Sequence, residues 1–271
     1  MILDDFDARP GSATSLLRTI VGAHLRPIGG QAPIAHLITL MEAVGVSPVS
    51  TRTAVLRVKT KGLLSPSIVD GHAGYRLNPE AVPMLERGDR RIYSFRQQGD
   101  GDKWCLISYS IPETQRDARH QLRRRLGWIG CGTVATGLWI CPAFLIDEVE
   151  EILSDLNLRD TATLFVASSP RLSGSPAEAA SRWWDLERLA ALHRRFLERH
   201  TDATSFASSQ DAFSRYVHAL DDWRIIPYLD PGLPPRALPA DWPGFDSVAL
   251  FGRLTSTLAA PAEAYVRGVV G

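Results

Sequence analysis

Residues 45 to 64 constrain this chain more than any other stretch. Gly45 can close one helix, and Ser47 followed by Pro48 opens the next. Serine is a preferred N-cap, and proline at the first helical position brings a suitable φ where no amide donor is needed. Thr51, Ala54, Val55 and Val58 then recur at helical spacing, and Gly62 ends the run. With that quartet turned inward, the opposite face carries Ser50, Arg52, Thr53, Arg57 and, toward its end, Lys59 and Lys61. No acid lies on that face, whereas an ordinary solvated helix mixes signs.

The flanking sequence supplies the rest of a winged helix-turn-helix domain. Upstream, Ser12 can cap a helix with the stripe Leu16, Leu17, Ile20, Val21 and Leu25, ended by Pro27 and Gly29-Gly30. Pro33 starts a second helix through Ile34, Leu37, Ile38 and Met41. Downstream, the strand-like runs 63–69 and 75–77 surround Asp70 to Gly74, the pattern of a wing. A recognition helix of this kind enters the major groove with its N-terminal residues on base edges. Arg52 is then the best placed to pair with guanine, while Ser50 and Thr53, beside the Ser47 cap, suit bases or phosphates. Arg57, Lys59 and Lys61 suit phosphates; His72 and Arg76 on the wing suit the minor groove or the backbone, though His72 is read equally as an exposed loop histidine without a role. The charge agrees: 30 basic residues balance 30 acidic ones overall, but residues 9 to 98 hold twelve arginines and lysines against five acids. Such a local surplus attracts nucleic acid in a neutral protein.

Two polar, Gly- or Pro-containing stretches, Gln97 to Asp102 and Ser168 to Pro176, divide the 271 residues into expected domains at 1–100, 101–175 and 176–271. The middle block reads β-α-β-β-α-β, with strands 104–111, 132–136, 138–141 and 161–167 and helices 113–126 and 146–156, the order of a ferredoxin-like fold. Its first helix is basic, with Arg116, Arg119, Arg123, Arg124 and Arg125 against Asp117. The third block reads as helical: one helix from the Arg182-Trp183-Trp184 run to about His200, another over 210–225, a proline-spaced loop, and a last helix over 247–258. Adjacent tryptophans cannot both face one core from one helix, so at least one of Trp183 and Trp184 is expected to meet another domain, a partner or a ligand. The fold class is α+β and multidomain.

Composition excludes several classes. Hydrophobic residues at 45% and charged residues at 22% describe a folded globular chain. No apolar run reaches membrane-spanning length, and no apolar segment follows Met1, so the expected compartment is the cytoplasm, without membrane association. Cys105, Cys131 and Cys141 lack C-x-x-C spacing and read as buried small hydrophobes. His193 and His200 are seven apart, the wrong spacing for an i, i+4 zinc pair. No catalytic residue, metal site or cofactor is expected, and the chain is not read as an enzyme.

Three stretches together resemble the PaaX family of bacterial repressors of phenylacetate catabolism. They are Ser47 to Leu64; Leu122 to Gly130 continuing into Gly137-Leu138-Trp139-Ile140-Cys141-Pro142; and Trp223-Arg224-Ile225-Ile226-Pro227-Tyr228-Leu229-Asp230-Pro231-Gly232-Leu233-Pro234 with Leu238 to Gly244. The last, proline-spaced signature is the most specific. The resemblance implies a homodimer that binds a palindromic double-stranded DNA operator and is released by a small-molecule effector, phenylacetyl-CoA or a related aromatic acyl-CoA. From residue type and position, the effector residues expected between the middle and third blocks are Arg116, Arg123, Trp139, Trp183, Trp184, Trp223 and Arg224. The middle block also resembles the small ferredoxin-like nuclease subunit of CRISPR adaptation machinery. There an aspartate typically ends the first strand, and here Ser110 stands in its place. A hydroxyl is a poor ligand for a hard divalent cation. A metal-dependent nucleic-acid hydrolase and an architectural DNA-binding protein without an effector are therefore the alternatives to the repressor.

Overall fold

The computed structural model describes residues 8–168 and 170–271, so Ser169 of the expected linker and residues 1–7 lie outside the described residues. Two compact units form. One takes the chain up to Ser94 with Arg194–Ile225 and Phe245–Gly271; the other takes Phe95–His193 with Ile226–Gly244.

In the first unit, helix α1 (Ala13–Ile20) starts where the Ser12 hydroxyl accepts the Ser15 amide, and it runs on into a wider π-type turn over Val21–Leu25. Gly29, at φ 103°, and Gly30, at φ 70°, turn the chain into strand β1 (Gln31–Pro33). Helices α2 (Ile34–Ala43) and α3 (Pro48–Thr60) follow, with Gly45 left-handed between them and Ser47 capping α3. Leu16, Leu17 and Ile20 of α1, Leu37, Leu40 and Met41 of α2, and Ala54, Val55 and Val58 of α3 are all buried. Burying a leucine- or valine-sized side chain stabilises by about 1.5–3 kcal/mol, so these stripes hold the three helices together.

Strands β2 (Leu64–Val69) and β3 (His72–Leu77) form a hairpin, and β3 also pairs with β1, giving an antiparallel sheet of order β1-β3-β2. The turn is tighter than the expected loop through Gly74. Asp70 and Gly71 alone make it, both with positive φ, which is the mirror-image two-residue turn that Asp-Gly favours. Gly74 belongs to the strand: a Cβ there would lie 2.5 Å from the Ala32 carbonyl oxygen, so only glycine lets β1 come so close. Helix α4 (Val82–Tyr93) completes this stretch and has no counterpart among the expected elements.

The second unit contains the expected βαββαβ order: β4 (Trp104–Tyr109), α5 (Arg116–Trp128), β5 (Gly132–Ala135), β6 (Leu138–Pro142), α6 (Ile146–Asp155) and β7 (Ala162–Ala167). The strands make one antiparallel sheet of order β5-β6-β4-β7. Cys105, Ile107, Trp139 and Cys141 of the sheet pack with Leu122 and Leu126 of α5 and Val149 and Leu153 of α6. The three cysteines are buried and none forms a disulfide, as their apolar neighbours suggest.

The helices from Pro176 onward are divided between the units. α7 (Pro176–Trp183) opens on a capping box in which Ser175 and Glu178 satisfy each other's backbone amides. The single helix expected through the tryptophan pair is broken there. Trp184 is extended, and Asp185 accepts the Arg188 amide at the start of α8 (Leu186–His200). The break lets both indoles reach one core with Trp104, Leu189, Leu233 and Trp242, Trp184 buried in it and Trp183 packed half-buried against it. α9 (Ser209–Trp223), the short α10 (Ile226–Leu229) and α11 (Gly244–Val270) follow. α11 passes Pro261 and extends well past the expected stop at Leu258, because Leu258, Ala262 and Val266 continue its buried stripe.

Candidate nucleic-acid interface

Helix α3 sets its two faces apart sharply. Thr51, Ala54, Val55 and Val58 are buried, while Val49, Ser50, Arg52, Thr53, Leu56, Arg57, Lys59 and Thr60 are exposed. The Ser47 hydroxyl accepts the Ser50 amide at 3.3 Å and donates to the Ser50 hydroxyl at 3.0 Å, so both serines are committed to the start of the helix. Thr53 donates its hydroxyl to the Val49 carbonyl at 3.2 Å. On the hairpin, His72 and Arg76 are exposed, and the His72 imidazole is tied to the Asp70 carbonyl at 2.8 Å. The structure thus groups Ser47, Ser50, Arg52, Thr53, Arg57, Lys59 and Lys61 on one helix, with His72 and Arg76 on the adjoining hairpin. Sequence reasoning passed over Val49 and Leu56, whose signal was simply that they fall between the cations on the outward face.

The same unit anchors α1 on α9. Buried Asp221 accepts the Gly11 amide at 2.7 Å, the Ser15 hydroxyl at 2.6 Å and the Thr19 hydroxyl at 2.8 Å. It also pairs with Arg224 at 3.1 Å, which donates in turn to the Ser15 hydroxyl at 2.7 Å. Nearby, His24 is wedged against Phe213 and Tyr216.

Within the second unit the expected effector residues divide between two cavities. Arg116, Arg123 and Trp139 line one open cleft of about 680 Å³, with Arg119, His120, Tyr109, Ser110 and Thr133, and Glu113 as its one acid. Glu113 is paired to Arg119 at 2.6 Å. Trp183 and Trp184 line a smaller, largely apolar cavity of about 90 Å³ in the same unit, beside Trp104, Pro176 and Arg236. The Trp184 indole donates to the Gly130 carbonyl at 2.8 Å and lies where a Cβ on Gly132 would come within 2.5 Å. Trp223 and Arg224 belong to the first unit. Trp223 is fully buried, stacked on Phe251 at 4.6 Å with its indole N–H donated to the Ile92 carbonyl, and Arg224 is taken up by Asp221 and Ser15. Trp223 is thereby part of the core, while Arg224 also lines a small cavity of about 50 Å³ in that unit, beside Arg18, Thr19 and Tyr93.

The proline-spaced signature also acquires a structural meaning. Asp230 is buried against His193 at 2.9 Å and accepts the Gly232 amide at 2.8 Å. The Gly232 carbonyl accepts the Gln98 amide at 2.8 Å, and the Gln97 side chain donates to the Leu233 carbonyl. The signature therefore fixes the chain that precedes β4. Among the described residues no group of three His, Cys, Asp or Glu side chains is placed to hold a metal ion, and no single helix is long and apolar enough to cross a membrane.

A multidomain α+β chain with an acid-free cationic helix beside a β-hairpin, and a four-stranded βαββαβ sheet after it, is what fold and site define. Residues 12–81 match the family model for PaaX-like protein, 97–180 that for the PaaX protein central Cas2-like domain, and 184–268 that for the PaaX-like protein C-terminal domain. The chain belongs to the PaaX family. It is 26% identical to transcriptional repressor PaaX of Escherichia coli (strain K12), over 96% of this chain and 84% of that protein. An uncharacterized protein, Rv0674, from Mycobacterium tuberculosis shares the fold with a TM-score of 0.61 at 22% identity, over 94% of this chain and 99% of that one.

Proposed function

We propose that this protein is a DNA-binding transcriptional repressor in which α2 and α3 form a helix-turn-helix and β2–β3 its wing. The observation that carries this reading is α3 itself, whose exposed face holds Arg52, Arg57 and Lys59 and no acid, on a chain with no net charge. Kinship with a transcriptional repressor supports it. In this reading Arg52 pairs with guanine, Arg57, Lys59 and Lys61 meet phosphates, and His72 and Arg76 touch the duplex from the wing. The protein acts in the cytoplasm as a homodimer on a palindromic operator, and residues 1–100, 101–175 and 176–271 serve as its DNA-binding, middle and C-terminal modules.

The operator is released by a small-molecule effector, an aromatic acyl-CoA such as phenylacetyl-CoA. The cleft of Arg116, Arg123 and Trp139 supports this part, since it combines cations for phosphates with an aromatic wall. Release requires that the effector bind the DNA-free state more tightly than the DNA-bound one, because equal affinity shifts nothing. A gel-shift titration on the DNA upstream of its own gene, with phenylacetyl-CoA and with free phenylacetate, tests both parts. Loss of the complex with the CoA ester alone is the expected result. A complex indifferent to both compounds removes the effector assignment, and no complex at all removes the DNA-binding one.

A further inference from the structure

The centre of the outward face of α3 is apolar. At about 100° per residue, the buried quartet Thr51, Ala54, Val55 and Val58 fixes the inward direction, and Val49 and Leu56 fall almost diametrically opposite it. They are 74% and 56% exposed. Arg52 and Lys59 flank them on one side and Ser50 and Arg57 on the other; Thr60 and Thr53 lie beside them toward Arg57, each with its hydroxyl already donated to a carbonyl four residues back, that of Leu56 and of Val49. The order across the face is therefore cation, apolar centre, cation. A purely phosphate-binding helix has no use for the centre, whereas a helix seated in the major groove meets phosphates at its flanks and base edges in the middle.

In the major groove the one apolar group on a base edge is the thymine C5-methyl. Resting on the helix-turn-helix reading above, we propose that Val49 and Leu56 are specificity-determining residues that read thymine methyl groups beside the guanine read by Arg52. Two helical turns separate them, about 10 Å along the axis. That distance matches about three base-pair steps of 3.4 Å, so the two thymines belong to the same half-site.

The test replaces thymine by uracil, which removes the methyl group and leaves Watson–Crick pairing intact. The full chain first selects duplexes from a random-sequence pool, and the selected duplex is then amplified with dTTP or with dUTP. Wild type should bind the uracil duplex roughly fourfold more weakly for each thymine methyl removed from the interface, the equilibrium weight of one buried methyl group. In V49S/L56S, whose substitutions touch no core position, the ratio should fall toward one. Equal wild-type affinity for both duplexes overturns the proposal while leaving DNA binding intact. A uracil penalty that persists undiminished in V49S/L56S overturns it for these residues. A variant that binds thymine DNA as wild type does but changes its oligomeric state makes the stripe a protein contact and overturns it as well. Failure to select any sequence overturns the helix-turn-helix reading, and the proposal with it.

Discussion

The Ser15 hydroxyl donates to the Asp221 carboxylate at 2.6 Å, joining α1 to α9 across 206 residues of sequence. Around that bond, Thr19, the Gly11 amide and Arg224 complete the carboxylate's partners. The segment that bears α3 is thus not an appendage of the helices near the C-terminus; it shares one core with α9, held by the bonds that the Gly11 amide and the Ser15 and Thr19 hydroxyls donate to buried Asp221.

Asp221→Ala should lower unfolding stability by about 3–5 kcal/mol, because it removes the carboxylate that pairs with the buried Arg224 cation and accepts two hydroxyls and the Gly11 amide. Ser15→Ala removes only a neutral partner and should cost about 1–3 kcal/mol. Urea denaturation of the two variants and their combination checks this. A combined loss equal to the sum of the single losses would show that the network is not coupled.

Arg52→Ala should weaken operator binding by about 1–3 kcal/mol and relax base preference at one position. Arg57→Ala should weaken binding to all sequences alike and reduce the slope of log affinity against log salt by about one unit. Titrations at several salt concentrations on the selected duplex and on its single-base variants separate the two. Unchanged base preference in Arg52→Ala would remove the guanine assignment.

Much of this was legible in the sequence, and the failures have physical causes. α3, its Ser47 cap and its inward quartet follow from local rules of capping and periodicity, and so does the βαββαβ order of residues 104–167. α4 escaped because its apolar side is thin: Leu85 and Gly88 are its only buried residues, and the rest is dense in charge. The break at Trp184 escaped because it is a tertiary effect, in which the indole seats on the bare backbone of Gly132, more than fifty residues away, and Asp185 then caps a new helix. For the same reason Trp223 and Arg224 attracted notice as ligand-binding types, although long-range partners, Phe251 and Ile92 for one and Ser15 for the other, absorb them into the core.

Gly232→Ala should destabilise the second unit by more than about 2 kcal/mol. Its φ of 67° alone costs an L-residue about 1–2 kcal/mol, and the added methyl would overlap the Arg96 carbonyl oxygen. The backbone must shift, and with it the bond that the Gln98 amide donates to the Gly232 carbonyl. Hydrogen exchange should show the Gln98 amide losing protection in the variant. Unchanged protection and an unchanged urea midpoint would mean that this loop is not a clamp.

His24 gives the protein a defined acid sensitivity. Burial against Phe213 and Tyr216 lowers its pKa from 6.5 to about 4, a shift that the Glu263 carboxylate only partly opposes. The folded pKa lies below the unfolded one, so between about pH 6.5 and 4 the unfolded chain binds the extra proton. Stability contributed by the neutral imidazole is therefore complete above pH 6.5, declines as pH falls through that value, and is lost below about pH 4. The loss amounts to about 3 kcal/mol. Unfolding free energies of wild type and His24→Phe measured from pH 7.5 to 4.5 isolate this contribution, because the phenyl ring keeps the aromatic contacts and cannot titrate. The wild-type curve should fall more steeply by up to that amount. Parallel curves would mean that His24 is protonated in the folded protein as readily as in the unfolded chain.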